Sequence, residues 1–226
     1  MNRFFVFDKE GDCFLLSKET LKHLDVIRIG TKPFICVYEN EFYECILEFN
    51  KAKIIKQLEL NHEPKHEVVL ALSIIKLDRF EWALEKAVEL GATKIIPLKT
   101  QYTNHALFKM DKFEKKYDRF KTILQNAAEQ SFRNKIPELS KPMTFEQAID
   151  LDVKEKYLAH EKIDISSSLP QPINQDVIFF VGPEGGFSGE EVELASSKDV
   201  KIVSLGSRIL RAETAGIFLL SQVKIN

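Results

Sequence analysis

Cysteine is scarce in this 226-residue chain. Its three residues, Cys13, Cys36 and Cys45, are an odd number without a CxxC pair, so nothing indicates a disulfide framework or a zinc site, and the thiols are expected to sit reduced in a cytosolic core. Long apolar runs are missing as well. None approaches the roughly 18 residues of a membrane span, and the opening MNRFFVFDKEGD lacks the apolar stretch of a secretory leader. A cytoplasmic protein with no membrane and no metal is therefore the expectation. Excess positive charge is also absent, because 32 Lys and Arg stand against 34 Asp and Glu for a net charge of -2. Any attraction to nucleic acid has to come from local basic patches. Finally, neither the GxxxxGK[ST] nor the GxGxxG phosphate loop occurs, which removes the main support for nucleoside triphosphate and dinucleotide readings.

What is present is an ordinary globular composition, 44% hydrophobic and 29% charged, with core enough for one large domain or two unequal ones. Residues 1–66 read as a small β-rich unit. Residues 3–7 and 13–16 flank a turn and suit a hairpin; Ser17 can cap a short helix through Leu24; residues 33–38, 42–49 and 53–60 read as three more strands, with turns at Glu39-Asn40 and Asn50-Lys51. That is the content of a small barrel. The polar, proline-containing segment 61–66 marks a boundary. From Val68 strands and helices alternate: strand 68–75, helix 79–90 ended by Gly91, strand 93–98, a long helix within 111–132 and strand 155–159. This is an α/β pattern with a mostly parallel sheet over 67–226.

The most informative stretch is 177–215. An apolar run from Val177 to Val181 reads as a buried strand that stops at Gly182-Pro183-Glu184-Gly185-Gly186. Ser188 and Glu191 have capping-box spacing, so a helix is expected to follow directly, with an N-terminus that would suit an anion. A second strand, 201–205, stops at Gly206 and leads to a helix expected to open with Arg208 and Arg211. Two adjacent strand ends would thus offer two loops to one crevice, the usual ligand position in parallel sheets. Ala212, Ala215, Gly216, Leu219 and Val223 make a stripe at helical spacing, either a tight packing seam, within the chain or between subunits, or a ligand contact.

The runs GPEGGFS (182–188) and LGSRILRAETA (205–215) resemble the two signature segments of the ribosomal RNA small-subunit methyltransferase E family, of the SPOUT class. KLDRFE (76–81), ELGA (89–92), AEQSFR (128–133) and HLDVIR (23–28) are similar to further family motifs in order and spacing, so the resemblance covers nearly the whole chain. It implies a PUA-like RNA-binding β-barrel (1–66) before a SPOUT methyltransferase domain (67–226). That domain would have a C-terminal deep trefoil knot and would form a homodimer. It implies S-adenosylmethionine as cofactor, 16S ribosomal RNA within a small-subunit particle as partner, and methylation of uridine N3. By position the cofactor would be held by Leu158, Ala159 and His160, by Val181, Gly182, Pro183, Glu184 and Gly185, and by Leu205, Gly206, Ile209, Leu210, Thr214 and Ala215. The chain departs from the pattern at Gln101-Tyr102, where a Glu-Arg or Glu-Tyr pair is frequent, and at Gly216, where alanine is common.

Within that resemblance, Arg211 is the candidate for stabilising the uridine anion, and Glu213 for orienting the base or assisting proton removal, unless it simply pairs with an arginine. Residues 109–135 carry eight Lys or Arg against four Asp or Glu, a solvated helix face or, with Arg79, Arg133 and Lys135, a phosphate track. Arg3, His23 and Arg28 are the candidate RNA contacts of the barrel. The competing readings are an enzyme of the same class acting on transfer RNA ribose and a non-catalytic RNA-binding factor.

Overall fold

The computed structural model describes residues 1–104, 106, 110–161 and 167–224. The chain forms two compact units, Met1–Glu63 with Ala128–Lys135, and Pro64–Ala127 with Ile136–Asn226. The return of 128–135 to the first unit was not legible in sequence, and side-chain chemistry explains it. Phe132, in the left-handed region at φ 64°, stacks on Phe42 at 4.8 Å between ring centroids. The buried Arg133 guanidinium donates to the Glu63 carboxylate at 2.6 Å, and the Asn134 amide donates to the carbonyls of Asn40 and Leu60.

In the first unit the elements are β1 (Arg3–Phe5), β2 (Lys9–Glu10), β3 (Cys13–Leu15), α1 (Lys18–Val26), β4 (Phe34–Tyr38), β5 (Glu41–Glu48) and β6 (Lys51–Leu58). Ser17 caps α1 by accepting from the Thr20 N–H at 3.0 Å. The expected hairpin of 3–7 with 13–16 is corrected: β1 pairs in parallel with β4, and the short β2 takes its place beside β3. Left-handed pairs Glu39-Asn40 and Phe49-Asn50 turn the chain between β4, β5 and β6, as two-residue hairpins require; the second lies one residue earlier than its sequence suggests. The sheet order is β1-β4-β5-β6-β3-β2. Its two edge strands are separated by only residues 6–8, which span at most roughly 15 Å, whereas the edges of a flat six-stranded sheet lie roughly 24 Å apart. The sheet is therefore strongly curled. Phe4, Phe14, Leu24, Phe34, Cys36, Cys45 and Ala52 fill its concave side.

In the second unit the elements are β7 (Val68–Ser73), α2 (Leu77–Glu89), β8 (Lys94–Lys99), α3 (Met110–Gln130), whose last residues belong to the first unit, β9 (Glu138–Leu139), β10 (Met143–Thr144), α4 (Phe145–Ile149), β11 (Glu155–Ala159), β12 (Ser167–Ser168), β13 (Val177–Val181), α5 (Gly189–Ser197), β14 (Lys201–Ser204) and α6 (Ala212–Leu220). Every described pairing is parallel, in the order β10-β8-β7-β13-β11-β14-β12, with β9 beside β8. All residues of β7 and β13 are buried, as central strands covered on both faces must be. One expectation fails here: β13 and β14 are not neighbours, because β11 lies between them. The missed elements are two-residue strands and α4, although the reciprocal capping box of Thr144 and Gln147 marks that helix.

Gly91, at φ 86°, is the C′ residue after α2. The small stripe of α6 faces inward: Gly216 sits over Leu70 of β7, where an added Cβ would stand 3.5 Å from the leucine methyls. The seam is therefore within the chain, and the glycine that departs from the family pattern is not there to avoid a clash. Among the described residues no helix is long and apolar enough to cross a membrane, and no cluster of three His, Cys, Asp or Glu could hold a metal. Glu63 also accepts from the N–H groups of Asn134 and Lys135, so its removal strips a buried cation of its partner. Glu63→Ala is expected to cost about 3–5 kcal/mol of stability, read from the urea midpoint; an unchanged midpoint would contradict the role of this pair.

Candidate functional site

At the carboxyl end of the parallel sheet three loops converge on a cleft of about 330 Å³. They follow β11 (Ala159, His160, Glu161), β13 (Val181 to Glu184, and Gly186) and β14 (Leu205, Gly206, and Arg208 to Ala212), and Ala215 of α6 closes the floor. The interposition of β11 explains why three loops meet here and not two. His160 is buried and its backbone N–H donates to the Val203 carbonyl at 2.9 Å, which fixes the β11 loop to β14.

The loop after β13 folds back on itself. The Gly186 N–H donates to the Pro183 carbonyl at 2.9 Å, and Gly186 takes φ 70°, a region that favours glycine. A Cβ on Gly182 would stand 2.9 Å from the Gly186 carbonyl carbon. No side chain fits at that approach. Gly185 is glycine for another reason: an added Cβ would press on Tyr102, 3.2 Å from its Cβ. Gly185 does not line the cleft, nor do Leu158, which is wholly buried, and Thr214, which is exposed in the first turn of α6.

The N-terminus of α5 is not an open anion site. Ser188 accepts from the Glu191 N–H, and the buried Glu191 carboxylate takes the N–H groups of Ser188 and Gln101, both at 2.9 Å. The helix has supplied its own anion. This carboxylate also ties the turn after β8 to the glycine loop. Helix α6 begins later than expected: Arg208 is in the β14 loop and Arg211 is the N-cap residue, with no side-chain cap bond. Both arginines line the cleft and are exposed, as are Glu161, Glu184 and Ile209, the last at 86%.

The structure separates the candidate charged residues. Glu213 is buried and lies 3.7 Å from Arg79, which is also 3.8 Å from Glu184. The arginine-pair reading is the one this geometry supports, and Arg79 bridges two carboxylates instead of facing solvent as part of a phosphate track. Arg133 is enclosed with Glu63 in the first unit, and Arg3 donates to the carbonyls of Glu129 and Gln130 with its guanidinium over the Phe132 ring. Both side chains are committed to packing. Lys135, His23 and Arg28 are exposed; Lys109, in the same basic run, lies outside the described residues. In the cleft wall, Arg208 and Gly186 lie within the two loops that the sequence pointed to, whereas Glu161 and Ala212 were not chosen as contacts. Each of these two adjoins a residue that was chosen, so the signal was position beside the motif.

Comparison with known proteins agrees with this architecture. Residues 61–224 match the model of the RNA methyltransferase domain family. Over 228 residues the chain is 41% identical to the Ribosomal RNA small subunit methyltransferase E of Mesomycoplasma hyopneumoniae (strain 232), covering 98% of each chain. It is 31% identical over 237 residues to the enzyme of the same name from Bacillus subtilis (strain 168), covering 95% of this chain and 91% of that one. The crystal structure of a Ribosomal RNA small subunit methyltransferase E from Neisseria gonorrhoeae bound to S-adenosyl methionine matches with a TM-score of 0.84 at 26% identity, over 98% of this chain and 95% of that one. With its parallel sheet, its three-loop cleft and this likeness over its full length, the chain belongs to the ribosomal RNA small subunit methyltransferase E family.

Proposed function

We propose that this protein uses S-adenosylmethionine to methylate a uridine of 16S ribosomal RNA at N3, within a small-subunit particle. The observation that carries the reading is the cleft, where the backbones of Gly182 and Gly186 approach too closely for any side chain in a chain whose full-length relatives carry this name. Peptide N–H and C=O groups are exposed there to a flat heterocycle such as adenine. The cleft rim carries two carboxylates, Glu161 and Glu184, and two guanidiniums, Arg208 and Arg211. That set matches a zwitterionic, sulfonium-bearing ligand. Of the residues assigned to the cofactor from sequence, Ala159, His160, Val181 to Glu184, Leu205, Gly206, Ile209, Leu210 and Ala215 line the cleft, which supports their assignment as its contacts. Leu158, buried in β11, and Gly185, packed against Tyr102, support them from outside the cleft.

The cofactor supplies an electrophilic methyl group. Uridine N3 is protonated at neutral pH, so this proton must leave and the resulting anionic base must be stabilised. Arg211, exposed at the cleft and at the start of α6, supplies the positive charge. Glu213 acts as a positioning residue, buried beside Arg79.

The finer architecture belongs to the same proposal. A deep trefoil knot accounts for a chain that leaves β14, packs α6 on β7, β13 and α2, and then exchanges backbone bonds between Ile173 and residues 222 and 224. The first unit is read as a PUA-like RNA-binding barrel, supported by its curled sheet and by the exposed His23 and Arg28. Homodimerisation is read from the exposed Trp82 and Phe218 on the contacting helices α2 and α6.

Two outcomes follow. Small-subunit particles from a strain lacking the gene, incubated with the protein and labelled S-adenosylmethionine, should gain a methyl group that nuclease mapping and mass spectrometry place on the base of one uridine; Arg211→Ala should slow this by at least about a hundredfold. Label on ribose, on transfer RNA or nowhere would refute the reading. In calorimetry, Gly182→Ala should weaken cofactor binding by more than about tenfold, because the loop must open by tenths of an ångström. Gly189→Ala, at a helix position where a Cβ meets nothing within 4 Å, should bind as the unmodified protein does; equal affinity in both variants would contradict the backbone cradle.

A further inference from the structure

Three aromatic side chains of the second unit are exposed among its described residues: Trp82 on α2, Phe218 on α6 and Tyr102, at 52%, on the turn after β8. Tyr102 differs from the other two in its footing. The turn beneath it is closed by Thr100 and Thr103, both buried: the Thr100 N–H donates to the Thr103 hydroxyl at 2.8 Å, the Thr103 N–H donates to the Thr100 carbonyl at 3.1 Å, and the two hydroxyls lie 3.0 Å apart. The next residue, Gln101, is anchored through its N–H to the buried Glu191 carboxylate. On its other side the ring lies against Gly185, whose missing side chain leaves room for it. Gly185 stands between Glu184 and Gly186, which both line the cleft.

This is an expensive way to hold an aromatic ring in water. A buried carboxylate, two buried hydroxyls and a glycine fix the backbone around a side chain that then exposes half its surface. Such pre-ordering lowers the entropy cost of binding a second flat surface. Any nucleobase presents one, and a base brought out of its stack for reaction is held by stacking on aromatic side chains.

We infer that Tyr102 is a stacking platform for a nucleobase of the RNA substrate beside the glycine loop of the cleft, a substrate-positioning residue. The inference rests on the RNA methyltransferase reading above. Because stacking uses the ring face, the phenol hydroxyl is dispensable. Tyr102→Ala should therefore raise the KM for the small-subunit particle roughly tenfold to a hundredfold, Tyr102→Phe should restore it, and S-adenosylmethionine affinity should stay within about twofold in both.

Photocrosslinking reads the contact without turnover. The protein is irradiated with small-subunit particles reconstituted on 16S ribosomal RNA transcribed with 5-iodouridine in place of uridine, and the crosslinked peptide is identified by mass spectrometry. A crosslink on Tyr102 supports the platform even if no methyl transfer is seen, which separates its fate from that of the catalytic reading. Crosslinks confined to other peptides, together with an unchanged KM in Tyr102→Ala, would overturn it. So would a loss of cofactor affinity in Tyr102→Ala equal to the rise in KM, since the ring would then only brace Gly185.

Discussion

The contact on which the second unit's cleft depends is between two backbones. Gly182 and Gly186 approach so closely that a methyl group between them would sit 2.9 Å from a carbonyl carbon. That approach turns the end of a buried strand into a compact loop whose peptide groups face the cleft instead of a neighbouring side chain. Everything around it keeps the loop in place. Val177–Val181 is buried on both faces and in register with β7 and β11, so the loop starts from a fixed point. The capping box of Ser188 and Glu191 ends it at another.

Glu191 gives this loop its connection to the rest of the sheet end. Its carboxylate serves its own helix and the turn after β8 together, so the loops after β8 and β13 are joined through one buried group. A charge so enclosed is tolerated because backbone donors satisfy it. Nearby, Arg79 spans Glu184 on the loop and Glu213 on α6. The glycine loop, the turn carrying Tyr102 and the start of α6 are thus tied by two ionic groups. The two arginines that line the cleft, Arg208 and Arg211, remain at the surface, where a ligand can reach them.

Much of this was legible in the sequence. The bounds of β11 and β13, the capping residues Ser17 and Ser188 and the C′ role of Gly91 follow from local chemistry, and local chemistry is what a sequence displays. The lining residues of the loops after β13 and β14 were legible because the glycine motifs carry them, whereas Ala159 and His160 followed only from the family resemblance. Spatial order was not. Nothing in residues 177–205 says that β11 inserts between β13 and β14, because strand order is decided by packing among elements far apart in the chain. The fates of Arg3, Arg79 and Arg133 were hidden for the same reason: a charged residue in a motif looks identical whether it faces RNA or groups of the protein brought in from another element, whereas the pairing of Glu213 with an arginine was one of the two readings its motif allowed. Gly185 shows the limit most clearly. Its place in the motif suggested a ligand contact, but the atom it makes room for belongs to Tyr102, over 80 residues earlier.

Hydrogen exchange read by mass spectrometry, with and without S-adenosylmethionine, tests the central claim most directly. The account predicts that the cofactor slows exchange in three separate segments, 159–161, 181–186 and 205–212, and leaves the strands of the first unit unchanged. Protection confined to any other region, or none at saturating cofactor, would contradict it.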